Sequence, residues 1–256
     1  MKRLVKSLLR SAGYEISRVT APETLRDQNP DVTDHEWAIY SQIRPLTMLS
    51  LERMLANVRA IEYIVQNQIL GDIVECGVWR GGSSMAMALA LLRLSDTERT
   101  LWMYDTFQGM TDPIDADKMH SGASAEELLI AARKHEAAEQ SLVLAYASLE
   151  DVRNNMRASG YPMDRIRFVQ GPVEQTIPKT LPDRIALLRL DTDWYESTRH
   201  ELIHLYPRLS SDGILIIDDY GHWQGARKAV DEYFEGSRIF LNRIDYTGRL
   251  AVKAAK

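Results

Sequence analysis

Two rhythms of apolar and polar residues run along this chain, and one gives way to the other near residue 71. Over residues 45–70, Leu46, Met48, Leu49, Leu51, Met54, Leu55 and Val58 recur at helical spacing, and Ile61, Ile64 and Val65 continue the stripe. The pattern predicts a long helix, with Pro45 suited to its first turn and Gly71 to its end. Residues 3–12 predict a short amphipathic helix in which Leu4, Val5, Leu8 and Leu9 share one side. It is expected to dock on the domain or on another subunit, with a membrane-surface anchor as the competing use. Residues 20–35, with Pro22, Pro30 and several acids, predict an irregular connection.

From residue 72 short apolar runs alternate with helical stretches. The runs fall at 72–76, 101–105, 166–170, 186–191 and 213–218, and the helical stretches at 83–94, 124–137, 147–158, 173–180 and 196–209. Such alternation predicts an α/β fold with parallel strands joined by right-handed helical crossovers. A last helix near 223–235 precedes two possible strands at 238–242 and 248–252, whose short link predicts an antiparallel hairpin at one edge. No internal repeat or low-complexity segment interrupts the pattern.

Composition narrows the class. The chain has 256 residues, 45% hydrophobic and 26% charged, which is globular and long enough to bury a core without disulfides or metals. Its net charge of −5 does not favour a nucleic-acid partner. The one cysteine, Cys76, excludes an internal disulfide and a cysteine-cluster zinc site, and fits a reducing cytoplasm. No run reaches the roughly 18 apolar residues of a membrane span. The N-terminal apolar stretch is short for a signal peptide and is broken by Lys6 and Arg10, so a soluble protein is expected.

Ligands of open α/β sheets bind beyond the carboxyl ends of the strands, so chemistry is sought there. The first strand runs into glycines at 77, 81 and 82, and Ser83 opens a helix whose free N–H groups favour an anion. The spacing is not GxGxxG, which disfavours a dinucleotide pyrophosphate. Asp105 ends the second strand, where an acid can accept both ribose hydroxyls of a nucleoside. Asp191 and Asp193 end the fourth, Asp218 and Asp219 the fifth. Carboxylates crowded together need a proton or a cation among them, and oxygen ligands point to Mg²⁺, with Ca²⁺ or Mn²⁺ as substitutes. Asp191, Asp218 and Asp219 are the expected ligands. The alternating pleat would turn Asp193 away. His200 and His204 sit four residues apart without a metalloprotease motif and are expected to be structural, while His120 and His222 are weaker catalytic candidates.

Three segments, DIVECGVWRGGSS (72–84), LDTDWYEST (190–198) and IIDDYGHWQGARKA (216–229), resemble the macrocin O-methyltransferase family, which methylates deoxysugar hydroxyls on antibiotics. The resemblance spans roughly residues 45–252. It implies a class I methyltransferase with a Rossmann-like sheet, dependent on S-adenosylmethionine (SAM) and Mg²⁺. It implies that Glu75, Gly77 and the turn to Ser83 hold the methionine part of SAM, that Asp105 holds the ribose, and that Gly171, Val173 and Glu174 border the adenine. Asp191, Asp218 and Asp219 match the metal ligands, with Asp191 also the proposed base. The wider catechol-type enzymes place a lysine base three residues after the first metal aspartate, where this chain has Trp194. Residues 1–70 are expected to form a helical lid and oligomer contact, and 71–256 the methyltransferase domain. The implied partners are a small glycosylated substrate and a second copy of the chain.

Other enzyme classes fit less of the sequence. A nicotinamide-dependent dehydrogenase would need GxGxxG and a Tyr-xxx-Lys pair, and neither is present. A metal-dependent hydrolase uses the aspartates but leaves Asp105 and the glycine turn idle. A non-catalytic SAM-binding scaffold would gain nothing from an intact acid cluster. Acceptor choice is expected to lie in residues 1–60, 106–123 and 139–146. Trp37, Tyr40, Trp79, Trp194, Tyr195 and Trp223 are candidates to stack on a sugar or aglycone, or to pack in the core. A macrolide, an aminocoumarin, a glycolipid and a nucleotide sugar all remain open.

Overall fold

A computed structural model describes residues 22–135, 141–237 and 239–255. The helix expected over residues 3–12 lies outside them. The chain divides into two compact units, Met1–Ala38 and Ile39–Lys256. In the first, the expected irregular stretch holds helix α1, Pro22–Asp27, followed by the start of α2, Asp34–Ile43. Proline is well tolerated at a first helical position. A capping box opens α2: Thr33 Oγ1 accepts the Glu36 N–H at 3.3 Å, and Glu36 Oε2 accepts the Thr33 N–H at 2.8 Å.

In the second unit, α3 spans Leu51–Gln66 and is capped by Ser50, whose side chain accepts the Arg53 N–H at 3.2 Å. Its apolar stripe is buried from Leu51 to Ile64, so α3, expected within an N-terminal lid region, packs inside the larger unit. The strands follow the expected rhythm: β1 Asp72–Cys76, β2 Leu101–Asp105, β3 Ile166–Gln170, β4 Ile185–Leu190 and β5 Leu209–Ile217. Between them lie α4 Gly82–Arg93, α5 Ala125–His135, α6 Leu149–Ala158, α7 Val173–Thr176 and α8 Tyr195–Leu205. The helix expected over 173–180 is one turn, because Ile177 precedes Pro178 and stands extended, as the residue before a proline prefers. After α9, Gln224–Tyr233, come the short β6, Asn242–Arg243, and β7, Arg249–Val252.

The sheet order is β3-β2-β1-β4-β5-β7-β6. The first five strands are parallel, and β7 runs antiparallel to both β5 and β6. The α3–α4 and α8–α9 pairs both reach β4, and every residue of β4 is buried. That coverage explains why the parallel strands read as apolar runs rather than alternating ones. The chain winds outward from β1 in one direction and from β4 in the other. The switch point between β1 and β4 therefore opens a crevice at their carboxyl ends.

Candidate active site

Gly77, one residue beyond β1, sits at that crevice with φ +80°. A Cβ there would lie 1.8 Å from the Asp191 carbonyl oxygen. Only glycine fits so close an approach. The next residues are held by Asp105: its Oδ2 accepts the N–H groups of Val78 at 2.6 Å and Trp79 at 3.0 Å. Its Oδ1 accepts the Phe107 N–H at 2.7 Å, with Thr106 Oγ1 a weaker contact at 3.4 Å. The acid expected to meet a ribose thus also ties the β1 and β2 loops together. Burial pushes its pKa up, and the three backbone N–H bonds pull the other way. Trp79, Phe107 and Asp193, at the ends of β1, β2 and β4, all have positive φ, a strained conformation that gathers at functional loops.

Two cavities meet here. The larger, of about 570 Å³, is lined by Glu75, Gly77, Ser83, Asp105 and the aspartates Asp191, Asp193, Asp218 and Asp219. The neighbouring one shares Gly77, Asp105 and Asp191 and adds Gly171, Val173 and Glu174. The residues expected around one cofactor therefore border two adjoining spaces. Ser83, at the start of α4, accepts a hydrogen bond from Asn57 Nδ2 at 2.9 Å, and Ser84 donates to Glu75.

The acids divide into two groups. Carboxylate oxygens of Asp191, Asp193 and Asp219 all lie within 4.8 Å of one another. Asp193 reaches this group because β4 ends at Leu190 and the pleat with it; a φ of +66° then turns the chain. Asp219 Oδ2 is buried, and among the described residues no N–H or hydroxyl donor reaches it. Burial first, then the Asp191 charge, raises the Asp193 pKa to about 7, and burial with the Asp193 and Asp191 charges raises that of Asp219. Asp218 faces arginines instead. Arg189 Nη2 donates to its Oδ1 and Arg53 Nη1 to its Oδ2.

Arg189 lies in β4 with its side chain 1% exposed and is the hub of the site. Its Nη1 bonds Glu75 Oε1 at 2.9 Å and Asp191 Oδ2 at 2.6 Å. Burial disfavours its charge, but Asp191, Asp218 and Glu75 more than offset that and hold its pKa above the ordinary value. Burial likewise lifts Glu75 to about 7 against the pull of Arg189. Neither arginine is singled out by the sequence reading, although Arg189 is the one charged residue within the apolar run of β4. Glu201, wholly buried on α8, also lay beyond it. Its Oε1 accepts from Thr192 Oγ1 at 3.0 Å, beneath the Asp191–Asp193 turn, and burial raises its pKa.

The remaining candidates separate cleanly. His200 Nε2 bonds the Ile177 carbonyl at 2.9 Å and its ring meets His204 at 4.4 Å, a structural pair. His222 lines the larger cavity, with Nδ1 3.1 Å from the Tyr246 hydroxyl, and its ring lies 5.7 Å from that of His120. Trp194 and Trp223 meet edge to face at 5.0 Å in the cavity wall, while the Tyr195 hydroxyl turns outward to Glu232. Among the described residues, no helix is long and apolar enough to cross a membrane.

Known proteins are similar to this chain in sequence and fold. The family model for macrocin O-methyltransferase matches residues 8–251. An 8-demethyl-8-(2,3-dimethoxy-α-L-rhamnosyl)-tetracenomycin-C 4'-O-methyltransferase of Streptomyces olivaceus is 38% identical over 87% of this chain and 79% of its own length. Mycinamicin III 3''-O-methyltransferase of Micromonospora griseorubida is 35% identical over 73% and 69%. The structure of the O-methyltransferase NovP superposes with a TM-score of 0.70 at 33% identity, covering 82% of this chain and 83% of that one. With one family spanning both the glycine turn and the aspartates, the chain belongs to the macrocin O-methyltransferases and is an O-methyltransferase.

Proposed function

We propose that the protein transfers the methyl group of SAM to a sugar hydroxyl of a glycosylated natural product, with Mg²⁺ as cofactor. The observation that carries this reading is the meeting of Asp191, Asp193 and Asp219 in a cavity that also contains the Gly77 turn. The buried Asp219 Oδ2, which no N–H or hydroxyl donor among the described residues reaches, fits a cation, since a buried acceptor left without a donor is costly. Asp191 and Asp219 would hold the ion with Asp193 beside them, and Asp218, the third ligand implied by resemblance, would join once an arginine lets it go. Bound Mg²⁺ supplies a lowered pKa and a fixed direction for the acceptor hydroxyl.

The chain's own residues do the rest. Asp191 is 28% exposed against 5% for Asp218, so it is the better placed to take the hydroxyl proton. Arg189 holds Asp191 Oδ2 and aims the carboxylate. Gly77 admits the donor to the crevice, Glu75 and Ser83 border its methionine end, Asp105 offers its remaining acceptor capacity to the ribose, and Gly171, Val173 and Glu174 flank the adenine. Charge disappears in the transition state, so positioning and exclusion of water carry most of the rate. Trp194 and Trp223 form the dry wall for this. Two of the relatives are named for a rhamnosyl-tetracenomycin C and for mycinamicin III, which supports a glycoside acceptor.

The test is methyl transfer from labelled SAM to a panel of deoxysugar glycosides. Transfer that EDTA abolishes and Mg²⁺ restores is the expected result; transfer insensitive to EDTA removes the metal, and S-adenosylhomocysteine binding without any transfer points to another acceptor class. Calorimetry should also show that Asp105→Ala lowers S-adenosylhomocysteine affinity by at least about tenfold, since it removes both the ribose acceptor and the loop tether. Unchanged affinity would remove Asp105 from the cofactor site.

Stability should report the metal as well. The folded-state pKa values of Asp193 and Glu75, about 7, lie above their ordinary 3.8 and 4.5. The folded chain therefore keeps protons that the unfolded chain loses, and stability falls as pH rises through 7. The Tm of metal-free protein is expected to drop by on the order of 5 °C between pH 5 and 8, and Mg²⁺ to recover it at pH 8 far more than at pH 5. A metal response that is equal at both pH values would contradict this.

A further inference from the structure

Both oxygens of Asp218 are taken by arginines, but the two arginines are not alike. Arg189 is buried at 1% and clamped among Glu75, Asp191 and Asp218. Arg53 enters from the first turn of α3, borders the larger cavity, and is 15% exposed. It also has somewhere else to go. Its Nε lies 3.1 Å from Asp245 Oδ2, and its Nη2 donates to the Met48 carbonyl at 3.2 Å. Asp245 is itself held in place: its Oδ1 accepts the N–H groups of Thr247 at 2.9 Å and Gly248 at 2.7 Å, and Ser50 Oγ donates to its Oδ2 at 2.9 Å.

From this geometry we infer that Arg53 is an internal stand-in for the metal, neutralising Asp218 Oδ2 until a divalent cation arrives and then retiring onto Asp245. The inference rests on the metal-dependent reading above. A buried carboxylate with one partner removed is costly, so an acid waiting for a cation needs a temporary one. A guanidinium that stays paired throughout its shift loses little on leaving. Metal loading would thereby be coupled to the start of α3 and to the turn between β6 and β7, where Tyr246 lines the same cavity.

Calorimetric titration of EDTA-stripped protein with Mg²⁺ alone tests this without any turnover. Arg53→Met is expected to bind Mg²⁺ about tenfold more tightly than the wild type, because the competitor is gone. Asp245→Asn, which removes the berth, should weaken binding several-fold in the wild-type background and have no effect in Arg53→Met. Simple loss of a nearby negative charge would instead weaken binding equally in both backgrounds, and that result overturns the inference. So does an Arg53→Met affinity that is unchanged or weaker. Should Arg53→Met fail to fold, Arg53→Lys, which keeps the charge but cannot bridge both acids, should show the same direction with a smaller gain. Absence of Mg²⁺ binding in the wild type and every variant would instead overturn the metal-dependent reading beneath it.

Discussion

Asp191→Asn is expected to lower kcat by about a thousandfold while leaving S-adenosylhomocysteine affinity within a few-fold of wild type. The substitution keeps the side chain's shape and one oxygen for Arg189. It removes the ability to take a proton and one negative charge from the group formed with Asp193 and Asp219. Arg189 retains Glu75 and Asp218, so the buried charge stays paired and the fold should hold. Single-turnover rates at saturating Mg²⁺ separate the two losses: a defect that excess metal repairs belongs to ion binding, and one that persists belongs to proton removal. Activity within about tenfold of wild type would show that another group is the base.

Gly77→Ala should damage the protein more broadly. The added methyl would stand 1.8 Å from the Asp191 carbonyl oxygen and 2.5 Å from its carbon, backbone atoms that cannot rotate away. Asp191 N–H donates to the Cys76 carbonyl at 2.8 Å, so relieving the clash pulls the ends of β1 and β4 apart. A loss of several kcal/mol and a Tm fall of roughly 10 °C are expected, with S-adenosylhomocysteine binding lost as well. Gly160→Ala is the control. Gly160 has a similar φ of +79° but open space around its Cβ position, so its cost should be only about 1 kcal/mol. Similar melting temperatures for the two variants would show that backbone conformation, not crowding at the crevice, decides the outcome.

The strands were legible because burial on both faces leaves short uninterrupted apolar runs, and β1, β2 and β3 fall on the expected residues. Other boundaries obeyed local chemistry that periodicity misses. The Thr33–Glu36 capping box starts a helix inside what reads as a polar connection, and Pro178 cuts α7 short. Within the site, residue type announced the aspartates, but their grouping depended on a backbone turn: Asp193 swings inward on a left-handed φ that no pleat rule anticipates. Arg53 was hidden for another reason. It lies on a helix distant in sequence from Asp218 and Asp245, and nothing in its own neighbourhood points to them.

Arg189 also decides how the sheet can assemble. It pairs in register with Glu75 on β1 and with Ile216 on β5, two residues before Asp218. A slip of β4 by a single residue would present Leu188 or Leu190 to the acids and drive the guanidinium into the aliphatic layer between sheet and helix. Glu75, 1% exposed, would be stranded without its counter-charge, at a cost of roughly 3–5 kcal/mol. The same ion network that aims the carboxylates therefore also pins the register of the central strand, penalising a one-residue slip against either neighbour.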